Sequence, residues 1–358
     1  MIDRLSASRS TGRGVASVSS VLFIQAKVGP VRPCVRQASA VYLVPVTSPW
    51  TLIANPTAGG RRGVSAAQAS AARLRQLGHE VDLRFTERRG HGTQLATAAV
   101  ASGHGAVLIC GGDGTVTEVL SALAGTRTAL GLIPLGTGND LARALGIPRS
   151  PRGAVRLLHG GQPRATDLGR CGDRWFATVA AFGFDAEVSQ IMEAGRAPLP
   201  GTAGYLLASL RHLRDFRPPR VRLTGEFGEL DEEVFLTAVA NTRSYGGGLR
   251  IAPDACPDDG RFDVCIIDGK LSRSTLLGLL PRVFGGGHVR HRSVQILRTR
   301  WIRIEPHDGG AQHLLHADGE PLATAPVTLR VEPQALRVIR PTAPAPAITY
   351  RVAPDVAT

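Results

Sequence analysis

Two stretches decide the fold: GGDGTVTE, Gly111 to Glu118, and PLGTGND, Pro134 to Asp140. Each follows a short apolar run, Ala106 to Cys110 and Leu130 to Pro134, and each precedes a segment with helical periodicity. After the first turn, Val116, Val119, Leu120 and Leu123 recur at i, i+3, i+4 and i+7, an amphipathic stripe. A strand that ends in glycines and opens a helix is a place to hold phosphate. Glycine lets the backbone come close, and the first helical N–H groups carry a partial positive charge. Both turns also contain an aspartate, and carboxylates beside phosphates call for a divalent cation.

Outward from these turns the pattern is regular. The strand Thr51 to Ala54 enters the turn NPTAGGRRG, Asn55 to Gly63. A helix with Ala66, Ala69, Ala72, Leu74 and Leu77 near one side stops at Gly78. The strand Val81 to Phe85 leads through TERRGH, Thr86 to His91, into a helix from Gly92 to Ala101. Such β-α alternation predicts a doubly wound parallel α/β domain with ligands at the carboxyl ends of its strands. All four turns fall there.

After Thr166 the rhythm changes. Trp175 to Ala181, Val221 to Glu226, Val234 to Asn241, Phe262 to Asp268, Val294 to Ile304, Gln312 to His316 and Val327 to Glu332 read as strands. Helices intrude at Ala203 to Leu213 and Ser274 to Phe284. The second domain is expected to be an antiparallel β-sandwich. The expected boundaries are a disordered extension over 1–49, a phosphate-binding α/β domain over 50–165 to which 334–341 returns, a β-rich domain over 166–333, and a disordered Ala/Pro-rich tail over 342–358.

Composition narrows the class. The 358 residues suggest two domains, and 43% hydrophobic content is enough to bury real cores. No run reaches the roughly eighteen apolar residues of a membrane span. Five scattered cysteines form no CxxC pair and fit a reducing cytoplasm better than a disulfide scaffold. Of the net charge of +13, residues 1–49 supply +5 and the remainder +8. That balance favours anionic partners, while 5% aromatic content argues against a base-stacking nucleic-acid platform.

The ordered set NPTAGG, TERRGH, GGDGTVTE, PLGTGNDLAR, DLG, FGFDAEV, APDACPDDGRFDV and ADGE resembles the diacylglycerol kinase catalytic-domain family, from about Thr51 to Arg340. Its bacterial soluble lipid kinases are the nearest kin in pattern; sphingoid and ceramide kinases are relatives. A lone GGDGT would be weaker, since NAD kinases and phosphofructokinases use similar turns. The resemblance implies a phosphofructokinase/NAD-kinase-like first domain, ATP and Mg2+. It also implies a diacylglycerol acceptor, with sphingoid base or ceramide as the alternative. A nucleotide-responsive regulator without turnover is the competing reading of another class.

Carried over residue by residue, the nucleotide contacts are Asn55, Pro56, Thr57, Ala58, Gly59 and Thr86 in the first two turns. In the glycine turns they are Gly112, Asp113, Gly114, Thr115, Val116, Thr117, Glu118, Thr137, Asn139 and Asp140. By their own chemistry Asn55 and Thr57 can donate to phosphate and Asp113 can hold magnesium or its water shell. Glu118 reads equally well as a helix-capping acid, and Asn139 as the cap of the following helix. The resemblance also places a structural magnesium on the Asp259 side chain and the carbonyls of Cys256 and Arg261. A DDG turn without an ion is the alternative there. It places the general base at ADGE. Glu320 comes first, Asp318 second, and Asp113 is the choice by analogy with sphingoid kinases.

A lipid acceptor implies work at a membrane surface, with a cytoplasmic, peripherally attached enzyme touching anionic headgroups and not nucleic acid. A homodimer is left open. Two apolar stretches flanked by arginine, Tyr205 to Arg217 and Arg273 to Arg292, are the candidate contacts, against the plainer reading that their leucines pack on the β domain.

Overall fold

The computed structural model describes residues 48–196, 201–307 and 313–341. Nearly all of the expected extension, the tail and Gln312 lie outside the described residues.

The α/β part runs β1 (Trp50–Ala54), a kinked turn α1 (Ala58–Arg61), α2 (Gly63–Gln76), β2 (Val81–Phe85), α3 (His91–Ala101), β3 (Ala106–Gly111), α4 (Asp113–Leu123), β4 (Ala129–Pro134), α5 (Asp140–Ala144) and α6 (Pro151–Gly160). The chain continues through β5 (Gln162–Cys171), β6 (Arg174–Phe176), β7 (Val179–Gly183), α7 (Phe184–Glu193), α8 (Gly201–Asp215), β8 (Arg220–Gly225) and β9 (Gly228–Ala240). It ends with β10 (Phe262–Asp268), α9 (Arg273–Gly285), β11 (Val294–Thr299), β12 (Trp301–Pro306), β13 (Leu314–Ala317), β14 (Glu320–Thr324) and β15 (Val327–Arg340).

Strands β2-β1-β3-β4 pair in parallel in that order. Every residue of β1, β3 and β4 is buried, which is why these strands read as unbroken apolar runs. Helices α2 and α6 cover one face through Ala71, Leu74, Val155 and Leu158. Helices α3, α4 and α5 cover the other through Ala96, Val119, Leu123 and Leu141. This is the expected doubly wound arrangement.

The β-rich part is antiparallel, as expected. Residues Gly228–Glu233 of β9 pair with β8, and Val234–Ala240 pair with β7 and β10, so one strand turns the corner between two sheets. Phe176, Phe182, Val239, Val264, Ile302 and Leu329 fill the space between. Strand β15 joins the two parts. Its first residues pair with β12, Val338 pairs in parallel with Leu130 of β4, and β5 lies antiparallel along it. The change of rhythm at Thr166 therefore falls inside β5.

Two expected strands are each broken in two, and for the same physical reason. Trp175 to Ala181 divides into β6 and β7 because the N–H groups of Ala177 and Thr178 donate to the Asp318 carboxylate, at 2.7 and 2.8 Å. Val294 to Ile304 divides into β11 and β12 at Arg300, whose N–H donates to Glu226 at 3.1 Å. A carboxylate takes the donor that a ladder would have used. Helices α6 and α7 are additions to the sequence reading. Ser150 caps α6 by accepting from Gly153 N–H at 3.2 Å, and Pro151 opens it.

Candidate active site

The carboxyl ends of the parallel strands and the β13–β14 hairpin enclose a cavity of about 790 Å³. Gly112, Gly114, Thr115, Thr117 and Gly136 form its floor, with Asn55, Pro56, Thr57, Ala58 and Thr86 along one wall. Glu320, Pro321 and Leu322 of β14 close the opposite side. The two glycine turns touch backbone to backbone. A Cβ on Gly136 would lie 2.7 Å from Gly112 Cα, so no larger residue fits.

Most acids of the motifs serve architecture first. Asp113 accepts the N–H groups of Asn139 and Asp140, both at 2.7 Å, and so provides the acceptor at the start of α5. Asn139 does not cap that helix, contrary to expectation. In a left-handed conformation at φ 50°, it turns back to exchange hydrogen bonds with Gly136 at 2.9 and 2.6 Å. Glu118 accepts from Gly90 and Gly92 N–H at 3.0 and 3.1 Å, fixing the start of α3 rather than of its own helix. Asn55 Oδ1 accepts from the N–H and hydroxyl of Thr57 at 3.0 and 2.8 Å, so these two close a turn on each other. Only the NH2 end of Asn55 is left for a phosphate. Val116 is a core residue, and Thr137 is exposed beyond the cavity rim.

The ADGE segment is a two-residue hairpin turn, with Asp318 and Gly319 at φ 53° and 80°. Asp318 accepts from Ala177 N–H, Thr178 N–H and the Thr178 hydroxyl. The next acid, Glu320, faces the cavity. A Cβ on Gly114 would lie 3.5 Å from its Oε1, which sets the carboxylate over the first turn of α4. Across the cleft it pairs with Arg89.

Asp113, Asp140 and Asp318 sense one another. Burial, then the charge of Asp113, pushes Asp140 up to about 6, against the pull of Gly247 N–H, which donates to it at 2.9 Å. Burial also raises Asp113 and Asp318, and their backbone hydrogen bonds oppose the rise. Such a cluster is suited to a cation nearby. Among the described residues no three His, Cys, Asp or Glu side chains converge as direct metal ligands.

In the β-rich part, Asp259 accepts from Arg261 N–H at 3.1 Å and pairs with Arg298. Arg261 reaches Glu226 at 3.0 Å, and Cys256 is buried. The loop is closed by Asp167, which accepts from Gly260 and Gln334 N–H at 2.7 and 2.8 Å. A guanidinium already answers the Asp259 carboxylate, so this donor set fits a magnesium ion poorly.

Arg88, Arg89 and Trp175 also line the cavity and were not singled out from the sequence. The two arginines stand in TERRGH. Trp175 arrives from the β5–β6 hairpin, which no local signal places there.

Residues 49–171 match the family described as diacylglycerol kinase catalytic domain, and residues 178–340 match the YegS C-terminal NAD kinase beta sandwich-like domain. Over 299 residues the chain is 38% identical to a diacylglycerol kinase of Mycobacterium tuberculosis, covering 81% of this chain and 94% of that one. The chain belongs to the diacylglycerol kinase/YegS-like lipid kinase family. A YegS-like lipid kinase of Pseudomonas putida is 33% identical over 270 residues, 75% of this chain and 88% of its own. The crystal structure of a diacylglycerol kinase from Bacillus anthracis shares the fold, with a TM-score of 0.68 at 21% identity, over 82% of this chain and 98% of that one. Membership in this kinase family implies nucleotide use, for which the glycine-floored cavity is the candidate site.

Proposed function

We propose that this lipid kinase transfers the γ-phosphate of ATP to the hydroxyl of diacylglycerol, giving phosphatidic acid and ADP. The single observation that carries the reading is the position of Glu320, over the first turn of α4 and across the cavity from the phosphate-type turns. The α/β part, about 50–165 with the returning 334–341, would hold the nucleotide. Residues 166–333 would present the acceptor.

The triphosphate lies against the first turn of α4, at Gly112, Gly114 and Thr115, with Arg88 and Arg89 beside it. Glu320 takes the proton of the acceptor hydroxyl. The oxygen attacks the γ-phosphorus, the bond to the β–γ bridging oxygen breaks, and ADP leaves with that electron pair. Asp113 and Asp140 would hold a magnesium ion through its water shell, since their oxygens already accept backbone N–H groups yet keep lone pairs. When bound, the ion supplies neutralisation of phosphate charge.

Labelled ATP with magnesium and dioleoylglycerol in mixed micelles tests this. Label should pass into an organic-extractable product with diacylglycerol, and less so with a sphingoid base. Label on NAD, or full transfer by the Asp113→Asn/Glu320→Gln double variant, would remove the assignment.

A further inference from the structure

Helix α9 divides the apolar stretch between two fates. Leu276, Leu279 and Val283 turn inward and pack on the β-rich core. Leu277 and Phe284, two turns apart, remain 44% and 58% exposed, with half-buried Leu280 between them on the same flank. The surrounding charge has one sign. From Gly269 to Ile304 the sequence holds eight Lys or Arg and no Asp or Glu. Acids elsewhere engage Arg298, Arg300 and Arg303. Arg282, Arg290 and Arg292 are exposed, with no acidic partner among the described residues.

We infer that the Leu277–Phe284 flank of α9, with its arginine rim, docks on an anionic lipid bilayer. Apolar side chains enter the acyl boundary while guanidinium groups meet headgroup phosphates. A second copy of this chain is a poor occupant, because two such faces would bring arginines together with no acid to answer them. The flank is also tied to the cleft. Val283 O accepts Arg250 N–H at 3.0 Å, and Gly247 in the same loop donates to Asp140 at 2.9 Å. Among the described residues no helix is long and apolar enough to cross a membrane, so contact here is at the surface. The inference deepens the lipid-kinase reading and rests on it for its purpose, but its test reads no phosphotransfer.

The full chain is sedimented with vesicles of phosphatidylcholine alone and of phosphatidylcholine with phosphatidylglycerol, at low and high salt. Binding should require the anionic lipid and weaken with salt. Leu277→Ser/Phe284→Ser should lower it at least about tenfold. Arg282→Ala/Arg290→Ala, which alters only exposed side chains, should also lower it about tenfold and flatten the salt dependence. Unchanged melting curves guard against misfolding. Three results would each overturn the inference: no binding of the wild-type chain to anionic vesicles, undiminished binding by both variants, or a dimer that the serine pair dissociates without loss of vesicle binding. Transfer in micelles without vesicle binding defeats only this inference. Vesicle binding without transfer defeats only the kinase reading.

Discussion

The turns Gly111–Glu118 and Ala317–Glu320 face each other across one cavity and present opposite chemistry to it. In the first, Asp113 turns sideways to hold the next loop, and Gly112, Gly114 and Thr115 line the cavity. In the second, Asp318 likewise turns away to hold the gap between β6 and β7, but Glu320 looks in. Each aspartate beside a glycine serves architecture first, and its neighbours line the cavity. On the proposed reading, the first side holds the anion and the second takes the proton.

The strongest test of that contrast is Glu320→Gln. It should lower kcat about a thousandfold while nucleotide affinity stays within about twofold, in steady-state assays paired with ATP titration. Asp113→Asn should do the reverse in kind. Its carboxamide cannot accept both N–H groups, so the floor loosens and nucleotide affinity falls at least about tenfold. If affinity holds while turnover collapses, Asp113 acts on the chemistry directly and the contrast fails. Asp318→Asn should cost about 2 kcal/mol of stability, visible in denaturant melts, by leaving a donor at the β6–β7 gap unmatched.

The smallest effect concerns an acid whose bonds are incomplete. Asp263 Oδ2 is buried without a hydrogen-bond partner, and burial raises its pKa from 3.8 to about 6, only partly opposed by Arg298. The native state therefore holds this proton more tightly than the unfolded chain. Its contribution to stability is present at low pH and is lost as pH rises from about 4 to about 6. Asp263→Asn should flatten that slope and gain about 1 kcal/mol at pH 8, measured by melts across pH.

Much of this was legible in the chain. Strands β1, β3 and β4 announce themselves because burial on both faces demands unbroken apolar runs, and the glycine turns sit where such strands end. Helix α6 was also readable, since Ser150-Pro151 is a start signal. The broken strands were not, because the carboxylates that interrupt them lie far away in sequence. Asp318 is 141 residues from Ala177, and Glu226 is 74 from Arg300. The work of Asp113 and Glu118 was hidden for the same reason. A local pattern shows which residue types stand at a turn, not which distant N–H groups they will meet.

Strand β15 has a consequence for synthesis. Leu130 of β4 pairs with Val107 of β3 on one side and, among the described residues, with Val338 on the other, so one border of the glycine-turn sheet stays open until almost the whole described chain has left the ribosome. A gene fragment ending before Val327 would deprive both halves at once, and neither could be harvested as an intact piece.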